Sequence, residues 1–233
     1  MKKILIGVFS VFLLFSFISC DFFVTSLGSG MQRDLNAALK KESAGDLAKL
    51  AKDPQFQDPS SGVAVLNALS GKSEADIQAL SVSEQESIMD LALAVSIPTS
   101  VLNDLADIAQ NDDPEALFNS ILESINSFDT TVLQAILNDK DAQESASAES
   151  LISASVALVA QVMKREGENL DFDNLGNLFG GSSNINDEKI SDKSKADIEA
   201  VKAIYDLFDE GGKRRDEELT LFGLSLEDLF GGN

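Results

Sequence analysis

Residues 151–163 read LISASVALVAQVM and are followed by Lys164, Arg165, Glu166 and Gly167. At 3.6 residues per turn, Leu151, Ile152, Val156, Leu158, Val159, Val162 and Met163 cover more than one stripe of a helix surface. A helix apolar on several sides is stable only when surrounded, so this stretch predicts a central helix, the most buried of the chain. Its end is also marked. Lys164 and Arg165 sit where the helix dipole is negative, and Gly167 suits the C′ position. A central helix needs partners, and the sequence on both sides supplies them.

Upstream, nearly every segment from Met31 carries helical spacing and helix punctuation. Leu35, Ala38 and Leu39 form a stripe that Leu47 and Leu50 continue after Gly45, and Asp53-Pro54 stops it. Val63, Leu66 and Leu69 follow, ended by Gly71. Ser73-Glu74-Ala75-Asp76 reads as the cap of a short helix reaching Leu80. Ser83-Glu84-Gln85-Glu86 has the form of a capping box opening a helix with Ile88, Leu91, Ala92 and Val95. Pro98 fits the first turn of a helix bearing Val101, Leu102, Leu105 and Ile108. Asp113-Pro114-Glu115 repeats that device ahead of Leu117, Phe118, Ile121, Leu122 and Ile125. Asp129 caps a short helix with Leu133 and Ile136.

Downstream of Gly167 the composition changes. Residues 168–193 read as irregular chain and linker, and 194–210 return to a helix with Ile198, Val201, Ile204, Tyr205 and Phe208. Gly211-Gly212 then introduces a tail, 211–233, rich in Leu and Phe. Leu229-Phe230-Gly231-Gly232 in the tail repeats Leu178-Phe179-Gly180-Gly181. A fainter repeat runs through the helices. Leu66, Leu69, Ser73 and Ile77 to Leu80 align at an offset of 56 with Leu122, Ile125, Asp129 and Leu133 to Ile136. Glu86-Ser87-Ile88 matches Glu149-Ser150-Leu151 with seven residues inserted. Duplicated helix-turn-helix units would produce this, and so would coincidence among Leu/Ala/Ser-rich helices. The expected fold is all-α, a single helical domain of about seven to nine helices without a sheet, a bundle or a short α-solenoid-like stack. Its core is expected at 31–167.

Composition narrows the chemistry. The chain has no His, one Cys, no Trp and one Tyr, with a formal net charge of −21. Without His, Ser-His-Asp and Cys-His nucleophile systems and Cys/His zinc sites are excluded. A single Cys forms no intramolecular disulfide, so stability must come from an apolar core. Strong negative charge repels nucleic acid and anionic membrane surfaces. No cofactor and no resident metal are expected.

The N-terminus carries the most functional information. Lys2 and Lys3 precede an apolar run, 4–17 (ILIGVFSVFLLFSF), closed by Ile18-Ser19-Cys20. A basic start and a short apolar stretch define a signal peptide, and the run is shorter than the roughly 20 residues of a spanning helix. Phe17-Ile18-Ser19-Cys20 resembles the lipobox of bacterial lipoproteins, in the loose form seen among spirochaetes. That resemblance implies removal of residues 1–19, acylation of Cys20, and attachment to a membrane through the acyl chains. Residues 20–30 then form a tether. Processing would remove two lysines and no acid, taking the charge to −23 over the remaining 214 residues. Two other readings use the same residues. One is a signal peptide cut elsewhere, for which no A-x-A site is present. The other is an uncleaved anchor, aided by Phe22, Phe23 and Val24 and opposed by Asp21.

Other constellations are weaker. Asp171-Phe172-Asp173-Asn174-Leu175-Gly176 begins like a calcium loop, but position 5 is Leu175 and position 12 is Ser182, so two ligands fail. The acid clusters at 111–113 and 216–218 read as solvated helix starts, and Lys213-Arg214-Arg215 as a local charge pair. In the tail, Leu226, Leu229 and Phe230 are apolar anchors before flexible glycines, suited to docking in a groove of the chain itself or of a partner. The resulting expectation is a non-catalytic lipoprotein of a bacterial cell envelope, on its periplasmic or surface face. Its role would be as a helical protein-interaction or structural module. The competing expectation is a lipid-anchored carrier of an apolar ligand, recognisable by a deep cavity lined from 151–163.

Overall fold

The computed structural model describes residues 31–97, 123–167, 190–208 and 212–214, and the backbone of 220–221 and 224–225. Nine α-helices lie among the described residues: α1 (Met31–Leu39), α2 (Ala44–Ala51), α3 (Pro59–Ser70), α4 (Glu74–Gln78), α5 (Val82–Ser96), α6 (Thr131–Leu137), α7 (Lys140–Ser145), α8 (Ala148–Glu166) and α9 (Asp192–Phe208). A 3-10 turn at Pro54–Phe56 joins α2 to α3. The chain divides into two units at Lys41/Glu42. In the first, α1 ends in backbone bonds from Lys40 to Asn36 and from Lys41 to Ala38. The other eight helices belong to the second. The all-α expectation is therefore correct. The one departure is a minute ladder, β1 (Thr220–Leu221) antiparallel to β2 (Leu224–Ser225), where no sheet was expected.

Local chemistry sets the helix boundaries. The Ser43 hydroxyl accepts from the Asp46 amide, Ser73 from Asp76, Ser147 from Ser150 and Ser191 from Ser194. Each satisfies an orphan N–H of a first turn. Asp58 caps α3 ahead of Pro59 at N1, and the Asp129 carboxylate accepts from the Thr131 amide as α6 begins. Gly167 closes α8 at φ 51, a conformation that favours glycine, with its N–H on the Met163 carbonyl. Two boundaries move from their expected places. α5 opens at Ser81 rather than Ser83, because it is Ser81 whose N–H and hydroxyl reach the Glu84 carboxylate. α9 starts at Asp192 under Ser191, two residues before the expected helix start.

Within the second unit, α3 packs on α5, α5 on α8, and α8 on α9. α2 lies against α3 and α5, while α6 runs across the series and touches α3, α5, α8 and α9. The fully buried side chains come from every part of this arrangement, among them Leu47, Leu66, Leu69, Ile88, Met89, Leu91, Leu133, Ile136 and Leu151. α8 is central, as its composition predicts, but it is not sheathed all round. Leu151, Ile152, Leu158 and Val162 are buried, whereas Val156, Val159 and Met163 remain half-buried. α5, with Ile88, Met89, Leu91, Ala92 and Val95 fully enclosed, is buried as deeply.

α5 and α8 run in the same direction. Near their starts the Ser147 amide donates to Glu86 and the Ser150 hydroxyl to Asp90. Near their ends Asn126 joins them, donating to the Val95 carbonyl and accepting from Gln161 through its own carbonyl. Ile88 and Leu151 are both fully buried, and α4 packs directly on α6.

Candidate functional site

The densest polar cluster among the described residues lies where α6, α8 and α9 meet. α9 carries Asp197 in register with Val201, Ile204 and Phe208, so its carboxylate is placed on the buried stripe, with a fully enclosed side chain. Gln134 of α6 donates to one carboxylate oxygen at 2.6 Å and Arg165 of α8 to the other at 2.9 Å. Arg165 also donates to the Ser194 hydroxyl at 2.7 Å. Ser194 in turn donates to Glu166, which also accepts from the hydroxyl and the amide of Ser191. Burial pushes the Glu166 carboxyl up, but the Ser191 and Ser194 hydroxyls, the Ser191 amide and the Arg165 guanidinium outweigh it and hold the group below its usual range.

This chain of contacts fixes the register of α9 on α8. A buried charge is tolerated when every partner is supplied, and removing one partner strands the other. Glu166 Oε1 accepts all three bonds from Ser191 and Ser194, each Asp197 oxygen accepts one bond, and a carboxyl held below its usual range, as that of Glu166 is, is a poor general acid at neutral pH. The sequence signal for this cluster was present in the placement of Asp197 on the apolar stripe of its helix. The signal for Gln134 was weaker, a polar residue between the buried Leu133 and Ala135.

A second polar junction ties α3 to the start of α6. Asn67 accepts from the Asp129 amide at 2.7 Å, and the Ser70 hydroxyl donates to the Asp129 carbonyl and accepts from the Val132 amide. Burial raises the Asp129 carboxyl, but Thr131 and the Lys193 ammonium 3.0 Å away hold it below the usual range. Beside this junction lies a cleft of about 140 Å³ lined by Leu69, Ser70, Lys72, Ile77, Val132 and Gln134, among others. It holds little more than a few water molecules, and α8 contributes nothing to it. The neighbouring Thr130 hydroxyl is buried without a hydrogen-bond partner.

The sites expected from sequence are placed as follows. Cys20, the loop at 171–182, the acid clusters at 111–113 and 216–218, and Leu226, Leu229 and Phe230 lie outside the described residues. Lys213 and Arg214 are described, and their pairing is long-range rather than local. Lys213 meets Glu144 at 2.6 Å, and Arg214 donates to the carbonyls of Gln143 and Ala146 while standing 5.1 Å over the Phe208 ring. Among the described residues no cluster of three or more His, Cys, Asp or Glu could hold a metal ion, and no helix is long and apolar enough to cross a membrane. No protein-family model, curated protein or solved structure matches the chain.

Proposed function

We propose that this chain is a non-catalytic lipoprotein of a bacterial cell envelope, held at a membrane by acyl chains on Cys20, with a helical domain that serves protein interaction or structural support. The observation that carries the proposal is the N-terminal order Lys2-Lys3, apolar 4–17, and a single cysteine at position 20. A chain of net charge −21 has no electrostatic attraction to anionic lipid, so anchoring falls to the acyl chains, and two or more of these hold a protein stably. The use of the acidic side chains supports the non-catalytic part. Asp46, Asp58, Asp129, Asp139 and Glu84 serve helix starts, and Asp197 and Glu166 bind helices to one another. Among the described residues, the 140 Å³ cleft has no lining from α8.

The test is incorporation of labelled fatty acid in a spirochaete host. The parent should be labelled and shortened by its signal peptide. Cys20→Ala should be unlabelled and accumulate as precursor. A variant still labelled and still cut would show that the anchor is elsewhere.

A further inference from the structure

The seat of α9 is polar where it is deepest. Asp197 and Ser194 are 0% exposed, whereas Ile198, Val201, Ile204 and Phe208 each keep between 2% and 8% of their surface. The largest fully buried side chains among the described residues belong to α2–α6 and α8, and none to α9. The contrast with α5 is plain, since Ile88, Met89 and Leu91 there are all at 0%. What encloses Asp197 is a set of donors, Gln134 of α6 and Arg165 of α8, and the Arg165 side chain itself is 26% exposed. A buried ion pair adds little net stability over its hydrated partners, although it fixes geometry. The apolar cluster beside it is small, Val162 with Ile198 and the half-buried Ile190.

The two ends of α9 are held in the same polar manner. At its start, Ser191 and Ser194 donate to Glu166, and Lys193 meets Asp129. Past its end, the Arg214 amide returns to the Leu207 carbonyl, and the guanidinium stands over Phe208 while donating to the carbonyls of Gln143 and Ala146. Ala146 directly precedes the Ser147 cap of α8, so α9 runs antiparallel to α8 with an arginine contact at either end. When α9 lifts, Asp197, Arg165, Gln134, Glu166, Ser191 and Ser194 all regain water together, and no polar group is stranded in an apolar interior. Lifting α5 would instead expose side chains that are wholly enclosed hydrocarbon. We propose that α9 is a closing helix, a single unit that opens and recloses on the body formed by α2–α8, with Asp197 on Arg165 and Gln134 as its catch. This does not depend on the lipid anchor, because the catch lies wholly within the helical domain.

The experiment is native-state hydrogen exchange on the full-length protein, read by mass spectrometry at urea concentrations below the unfolding midpoint. After correction for intrinsic rates, peptides covering 195–206 should exchange as a block, roughly tenfold or more faster than peptides covering 86–95 of α5, and with a weaker urea dependence. Asp197→Asn keeps the side-chain shape and removes the charge. It should speed exchange of 195–206 by a further factor of about ten and leave 86–95 unchanged. Ser194→Ala should act in the same direction and serves if the first variant fails to fold. Exchange of α9 at the rate and urea dependence of α5 in the parent protein would overturn the proposal. So would acceleration of both segments together in the variants, which would make α9 part of the global core.

Discussion

Gly62 lies where α3 crosses α5. A Cβ built there would run into the Val95 side chain, 2.7 Å from the Phe56 carbonyl oxygen and 3.1 Å from Leu91 Cδ1. In a helix Ala is ordinarily favoured over Gly by about 1 kcal/mol, but forcing extra volume into a packed contact costs about 1–3 kcal/mol. Gly62→Ala should therefore lower the urea midpoint, while Gly45→Ala, with open space around its Cβ, should leave it unchanged or raise it. Equal shifts would mean that α3 and α5 do not touch at residue 62. Asp90 offers a second test. Lost hydration where it faces α8 raises its carboxyl above the usual range, with Glu86 and Glu149 adding to this and the Ser150 hydroxyl opposing it. A raised folded-state pKa means that stability is fully present below the unfolded value and is lost as pH rises through the folded one. Asp90→Asn should thus raise the melting temperature at neutral pH, with the gain fading in acid. Glu166→Gln should behave in the opposite sense, costing stability at neutral pH and less as the pH falls, because the Glu166 carboxyl is held low. Melting curves from pH 3 to 8 check both. At this scale Ser73 and Asp129 were readable as caps, whereas Ser43, Asp58, Ser147 and Ser191, which meet first-turn amides in the same way, were not singled out. Ser81 and Ser83 show the limit. Both stand in capping patterns, and the choice falls to Ser81, while the Ser83 hydroxyl instead receives the ammonium of Lys52, the residue just after α2.

Helices could be read from spacing, but their buried faces could not always be. α8 was legible as a long central helix with its end at Gly167. That Val156, Val159 and Met163 would be the less covered side was not legible, because a helix apolar on several faces gives no periodic signal of which face is least needed. Leu158 is fully enclosed and Val156 is not. Leu158→Ala should cost about 2–5 kcal/mol, as deletion of a buried leucine side chain does, while Val156→Asp should retain the fold and a cooperative melt. Chemical denaturation followed by circular dichroism checks both. Collapse of Val156→Asp with tolerance of Leu158→Ala would reverse the assignment of faces. The Asp197 junction was missed for a related reason. A charge on an apolar stripe reads as an imperfection until Gln134 and Arg165, 63 and 32 residues away, are seen to receive it.

For the whole molecule, the sequence carried the all-α class, because turn residues and 3.6-residue spacing alternate along the chain without a strand signal. The β1–β2 ladder was not readable, since two-residue strands are too short to show alternation. The parallel course of α5 and α8 was not readable. Its physical cause is long-range, in the bonds from Ser147 to Glu86, from Ser150 to Asp90, and through Asn126. The proposed function rests on the N-terminus, where the first twenty residues resemble a lipoprotein signal ahead of the helical domain. The measurement that tests this most directly is tandem mass spectrometry of the N-terminal peptide from protein extracted out of its own membranes with detergent. The account predicts a chain beginning at Cys20 and carrying the mass of a thioether-linked diacylglycerol, with a further acyl group on its amine. A mature N-terminus at any other residue, or an unmodified Cys20 thiol, would contradict it.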